Sequence, residues 1–130
     1  MTLKTLETLR KRADFLRLNR GRRSAVHGLV LQAALTPDAA APLDDKAPMR
    51  LGLTVTKKIG NAVVRNRVRR RLRAAARAVL PVAGRAGYDY VLIARQGTLG
   101  RSFTDLKSDL ERALKAVHSP KSGGKAGPRT

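Results

Sequence analysis

Apolar positions along this chain change their period several times. From residue 2 to 18, Leu3, Leu6, Leu9, Ala13 and Leu16 recur at helical spacing with Phe15 beside them, and basic residues cover the rest. That spacing predicts a helix over 2–18, stopped at Asn19-Arg20-Gly21 with Gly21 in the left-handed position. Between Arg22 and Leu35 the pattern becomes strand-like around Leu29-Val30-Leu31, and Gly28 divides it into two short strands. Thr36 to Pro48 carries three prolines, four alanines and three aspartates without an apolar period, and reads as a loop. From Met49 to Thr56, Leu51, Leu53 and Val55 alternate with Arg50, Gly52 and Thr54, which predicts a strand.

The second half is more regular. Val64, Val68, Leu72, Ala75 and Val79 fall within about a quarter of a helical circumference, a narrow stripe for lying on a sheet. Pro81 should end that helix, because it lacks the N–H that the next turn needs. Tyr88 to Ala94 is nearly continuous in apolar residues and predicts a strand buried on both faces. Ser102-Phe103-Thr104-Asp105 is a capping-box start, after which Phe103, Leu106, Leu110, Ala113, Leu114 and Val117 make one face of a last helix. Ser119 to Thr130, rich in Gly, Pro, Ser and Lys, reads as a disordered basic tail. The order helix, strands, helix, strand, helix describes a single α+β domain over 1–118, with about three helices packed on a small sheet. There is no internal repeat.

Composition narrows the partner. Hydrophobic residues make up 42% of the 130 residues but aromatics only 3%, so the core must rest on Leu, Val, Ile and Ala. A formal charge of +19 far exceeds what solubility requires, and points to a nucleic acid before an anionic membrane surface. The absence of cysteine excludes disulfide scaffolds, thiol catalysis and cysteine-ligated metals. No apolar run reaches bilayer length, so a soluble cytoplasmic protein is the expectation.

The charge is concentrated where acids are missing. No Asp or Glu lies between Asp45 and Asp89, and the stretch Thr56 to Arg73 sits inside that gap. Arg65, Arg69, Arg73 and Arg77 form an i,i+4 ladder whose three like-charge pairs cost roughly 1 kcal/mol together. A phosphate backbone along the ladder would reverse the sign of that cost. At the helix start Asn61 can cap an orphan N–H, while Lys57, Lys58 and Gly60 precede a first turn that lacks any acid. Backbone N–H groups, a glycine permitting close approach and two lysines make a phosphate seat. Asn66, between Arg65 and Arg67, adds a donor and an acceptor for a base edge or ribose hydroxyl. A solvated charged face is the plainer reading, but such faces mix signs and this one does not.

The run Thr56-Lys57-Lys58-Ile59-Gly60-Asn61-Ala62-Val63-Val64-Arg65-Asn66-Arg67-Val68-Arg69-Arg70 resembles the signature of the bacterial ribonuclease P protein subunit, continued by Arg73 and Arg77. Arg10 to Phe15, Met49 to Thr56 and Asp89 to Arg95 resemble flanking motifs of the same family. The resemblance implies an α/β sandwich like the second domain of a ribosomal small-subunit protein, with a left-handed βαβ crossover. It implies that Lys57, Lys58, Asn61, Arg65, Asn66, Arg67, Arg69, Arg70, Arg73 and Arg77 bind the catalytic RNA of ribonuclease P. It further implies that a cleft between the first helix and the sheet, with Arg12, Phe15 and Gln32, binds the single-stranded 5′ leader of precursor tRNA. The chain departs from the family at Leu18-Asn19, where relatives often have a second aromatic, at Gln32, where some have Tyr, and at Ala74, where Glu is common.

No catalytic constellation of protein groups emerges from the residues. Asp44 and Asp45 fall in the Pro/Ala loop, and Asp105, Asp109 and Glu111 lie among basic residues on the last helix, where surface pairing explains them. His27 and His118 are lone histidines, and the glycine pairs at 84–87 and 97–100 read as turns. The expectation is therefore a monomeric protein that binds no cofactor itself, with cleavage carried by the partner RNA and its Mg2+. A structural ribosomal protein and a DNA-binding regulator are the competing classes.

Overall fold

The computed structural model describes residues 6–37 and 47–119. Leu3, the loop aspartates Asp44 and Asp45 and most of the basic tail lie outside the described residues. The elements run β1 (Leu6–Thr8), α1 (Arg12–Leu18), β2 (Arg22–Ala25), β3 (Leu29–Leu35), β4 (Met49–Thr54), a 3₁₀ turn (Lys57–Ile59), α2 (Ala62–Ala83), β5 (Tyr88–Ala94) and α3 (Phe103–Val117). The strands form one mixed sheet in the order β1-β4-β5-β3-β2. β4 pairs parallel with β1 and β5, while β3 pairs antiparallel with β5 and β2. The expected α+β class with three helices on a small sheet is therefore observed.

Strand alternation divides the molecule into three layers. Leu29, Leu31 and Ala33 of β3 and Tyr90 and Leu92 of β5 face α2 and α3, meeting Val68, Leu72, Leu80, Leu110 and Leu114. The opposite sheet face carries Val91 and Ile93, covered by Leu9, Phe15 and Leu18 in a smaller cluster under α1. β5, paired on both edges and covered on both faces, is the continuous apolar strand that the sequence describes.

Four expectations are corrected. The helix foreseen over 2–18 is only Arg12–Leu18, because Leu6–Thr8 pairs with Met49–Leu51 as an edge strand. Unpaired backbone groups on the outer edge of β4 outweigh the helical spacing of the leucines, and the Leu9 N–H extends the pairing to the Leu51 carbonyl at 2.8 Å. Gly21 is not left-handed, since positive φ among the described glycines occurs at Gly60 and Gly87. Gly21 is required by contact instead: a Cβ there would stand 2.5 Å from the Ala33 carbonyl oxygen. Pro81 lies inside α2, which continues to Ala83. A proline so near the helix end removes little hydrogen bonding, and the Gly84 N–H closes the helix on the Leu80 carbonyl at 2.8 Å. Phe103 is exposed rather than part of the buried face, with the Lys107 ammonium 4.9 Å above its ring.

Candidate nucleic-acid interface

The basic surface is built around the start of α2. Asn61 caps the helix as expected, its Oδ1 accepting from the Val64 N–H at 3.0 Å. Gly60 sits at φ 154°, a backbone region essentially restricted to glycine, and a Cβ there would press on Val64 at 2.9 Å. The Lys57–Ile59 turn thus enters the helix through a backbone shape that the sequence had to encode with glycine. Val68, Leu72, Ala75 and Val79 are buried as the stripe predicts, joined by Ala76 and Leu80.

This packing fixes where the charges go. Lys57, Lys58, Asn61, Asn66, Arg67, Arg70, Arg73 and Arg77 are exposed, and Arg65 and Arg69 are half-buried. Among the described residues none of these basic side chains is ion-paired. Arg65 turns back on the helix start, its Nε donating to the Gly60 carbonyl at 3.2 Å, and the Asn66 Oδ1 accepts from Arg69 at 3.2 Å. Arg69, Arg73 and Arg77 line a cavity of about 240 Å3 together with Phe15, Glu7 and Gly52. The ladder and the Phe15 ring, separated by some fifty residues in sequence, therefore border one concave surface.

The cleft residues divide. Phe15 is half-buried with its ring against β4, where a Cβ on Gly52 would stand 2.5 Å from the ring Cζ. Arg12 is exposed at the start of α1 and does not line that cavity. Gln32 is only 2% exposed, and its Nε2 donates to the Asn19 Oδ1 at 2.9 Å. Its amide is thus sequestered behind Asn19, which holds the exposed position.

Two buried carboxylates escaped the sequence reading. Asp89, fully buried on β5, accepts from Arg50 Nε at 2.8 Å, Arg50 Nη2 at 2.7 Å, the Thr36 hydroxyl at 2.7 Å, and Arg17. Burial pushes its pKa upward, but the bonds from Arg50, Thr36 and Arg17 outweigh it and hold the carboxyl below its ordinary value. Arg50 is held above its ordinary value, mainly by the bond to Asp89. Because Arg17 also donates to the Leu35 carbonyl at 3.0 Å and pairs with Asp14 at 3.2 Å, this network fastens α1 to the sheet. Asp109, expected on a solvated helix face, is instead fully buried and takes a two-point contact from Arg101 at 2.9 and 2.8 Å. The correction has a local cause: Gly28 has no side chain, and a Cβ there would meet Asp109 Oδ2 at 2.5 Å.

His118 is also placed by tertiary structure. Its Nε2 lies 2.7 Å from the Tyr90 hydroxyl, which also accepts from the Arg85 N–H at 2.9 Å. Burial, with smaller contributions from Arg85 and Arg22, lowers its pKa to about 4. Among the described residues no group of three or more His, Asp or Glu could hold a metal ion, and no helix is long and apolar enough to cross a membrane.

The family model for ribonuclease P matches residues 3–118. The chain belongs to the ribonuclease P protein family. It is 48% identical over 117 residues to the ribonuclease P protein component of Ruegeria pomeroyi, covering 89% of this chain and 90% of that one. It is 53% identical over 108 residues to that of Gluconacetobacter diazotrophicus, covering 82% and 87%. Among solved structures it resembles the RNase P protein of Staphylococcus aureus, with a TM-score of 0.69, 28% identity and coverage of 85% of this chain and 94% of that one. It resembles that of Thermotoga maritima equally, with a TM-score of 0.69, 26% identity and coverage of 87% and 99%. The ribonuclease P family match spans both the arginine ladder and the Phe15 face, so the concave surface they share belongs to its domain.

Proposed function

We propose that this chain is the protein subunit of ribonuclease P, binding the catalytic RNA through α2 and the 5′ leader of precursor tRNA beside Phe15, while the RNA and its Mg2+ carry out the cleavage. The observation that carries this reading is the mostly exposed basic surface from Lys57 to Arg77, without ion pairs among the described residues, running into the cavity that Phe15 lines. An acid-free array of that kind is favourable only against a polyanion. Phe15 offers a half-exposed ring on which an unpaired base can stack. Asn19, held by Gln32, presents an amide at the rim of the same helix.

Reconstitution tests the proposal. The chain, added to a candidate catalytic RNA at low Mg2+, should restore 5′ cleavage of precursor tRNA. Arg67→Ala should weaken RNA binding and flatten its log–log salt dependence by about 0.7–0.9, the share of one phosphate contact. Phe15→Ala should weaken binding of leader-bearing tRNA by about 1–3 kcal/mol and leave mature tRNA unaffected. Equal losses for both tRNAs would assign Phe15 to the core alone, and an unchanged salt slope in Arg67→Ala would remove α2 from the interface.

A further inference from the structure

One arginine of α2 behaves unlike its neighbours. Arg71 is half-buried, and its Nη1 donates to the Leu99 carbonyl at 2.9 Å and the Thr98 carbonyl at 3.2 Å while its Nη2 donates to the Arg101 carbonyl. Three backbone acceptors around one guanidinium leave it little reach toward a ligand. Its neighbours Arg70 and Arg73 are exposed, with no ion pair among the described residues.

The turn that Arg71 grips is joined to three other parts of the molecule: the β2–β3 connection, α3 and the turn before α2. The Thr98 hydroxyl donates to the Gly28 carbonyl at 2.6 Å, and Arg95 donates to the Val26 carbonyl at 2.7 Å. Arg101 reaches Asp109 on α3. Gln96 Nε2 donates to the Lys58 carbonyl at 3.0 Å, in the turn that leads into α2. A path of hydrogen bonds thus runs from the middle of α2, through residues 96–101, back to the lysines at its start.

We infer that Arg71 is a positioning residue for the RNA interface: it holds the 95–101 turn so that Gln96 sets the backbone carrying Lys57 and Lys58. It does not contact phosphate. The bonds leave from two separate nitrogens of a planar fork, whereas an ammonium offers its donors from a single point and cannot reproduce that spread. The inference rests on the proposed RNA-binding role of α2, but its structural half can be read without RNA.

Amide NMR of the free, full-length chain makes that separation. In Arg71→Ala the amide resonances of residues 57–60 should shift along with those of 96–101, while exchange protection in β3 and β5 is kept. Gln96→Ala removes one exposed bond without touching the core, and should shift residues 57–60 even if Arg71→Ala fails to fold. Resonances at 57–60 unmoved by Gln96→Ala would overturn the path. In RNA binding, Arg71→Ala should weaken affinity by about fivefold with an unchanged salt slope, and Arg71→Lys should not restore it. A slope reduced by about 0.7–0.9 per contact, or full rescue by lysine, would make Arg71 a phosphate ligand and overturn the inference. If Arg67→Ala also leaves the slope unchanged, the RNA-binding role of α2 fails instead, and the NMR result stands by itself.

Discussion

Asp89 joins three other parts of the molecule, linking β5 to Arg50 on β4, Thr36 after β3 and Arg17 on α1. Its carboxyl is held below its ordinary pKa, so its contribution is present above the unfolded value near 4 and is lost as pH falls through the lower folded value. Asp89→Asn should destabilise the chain by about 2–3 kcal/mol at pH 7, since Arg17 and Arg50 are partly exposed and can rehydrate. Urea unfolding checks this, and the gap between variant and wild type should close as pH drops below about 4. His118 titrates in a different window. Its folded pKa, about 4, lies below the ordinary 6.5, so the neutral imidazole contributes stability that is present above 6.5 and lost progressively toward 4. Around it are the Tyr90 hydroxyl, the Tyr88 ring at nearly a right angle, Arg85 and Arg22, with Glu111 and Lys115 lining the same cavity; Arg22 already donates to the Val117 and Ser119 carbonyls at the end of α3. His118→Phe should flatten the loss of stability between pH 6.5 and 4, measured as the urea midpoint against pH.

At the scale of elements, the entry to α2 depends on one backbone conformation. Gly60→Ala places a Cβ against Val64 in a region that L-residues avoid, and should cost about 1–3 kcal/mol. Thermal unfolding reads that cost, and reduced affinity for the catalytic RNA should accompany it because the lysine turn is displaced. The caps at Asn61 and Ser102 were legible from sequence, since each joins a side chain to an N–H three residues on. The stripe of α2 was legible for the same reason, because helical period is local. β1 was not. Leu6 shares a helical spacing with Leu9 and Leu16, and only the unpaired edge of β4, some forty residues away, makes its segment a strand. Pro81 misled in the opposite direction, because buried Leu80 on α2 keeps the helix packed through its last turn.

The whole molecule carries a charge of +19 with few internal partners, so the free chain folds against its own repulsion. Its thermal midpoint should rise as salt increases from about 0.01 to 0.15 M, where the Debye length shortens from about 30 to 8 Å. The exposed arginines of α2 dominate that effect, so replacing Arg67, Arg70 and Arg73 with Gln should weaken the salt response; an equal response would place the repulsion elsewhere. The buried pairs of Asp89 and Asp109 should contribute little to it, being shielded from counterions.

Sequence alone determined the chemistry of this protein: an acid-free cationic helix with a glycine entry, its apolar stripe, the α+β order of elements and the family signature. Each depends on neighbours within a few residues or on composition, which the chain displays directly. Tertiary structure decided which charges are free. Arg17, Arg50, Arg71 and Arg101 are held by carboxylates or carbonyls, several of them dozens of residues away, whereas Arg67, Arg70, Arg73 and Arg77 remain exposed. An arginine's residue type is the same in both sets. Only the sheet and the turn at 95–101, by bringing distant acceptors within hydrogen-bond reach, divide the positions that hold the fold from those left exposed.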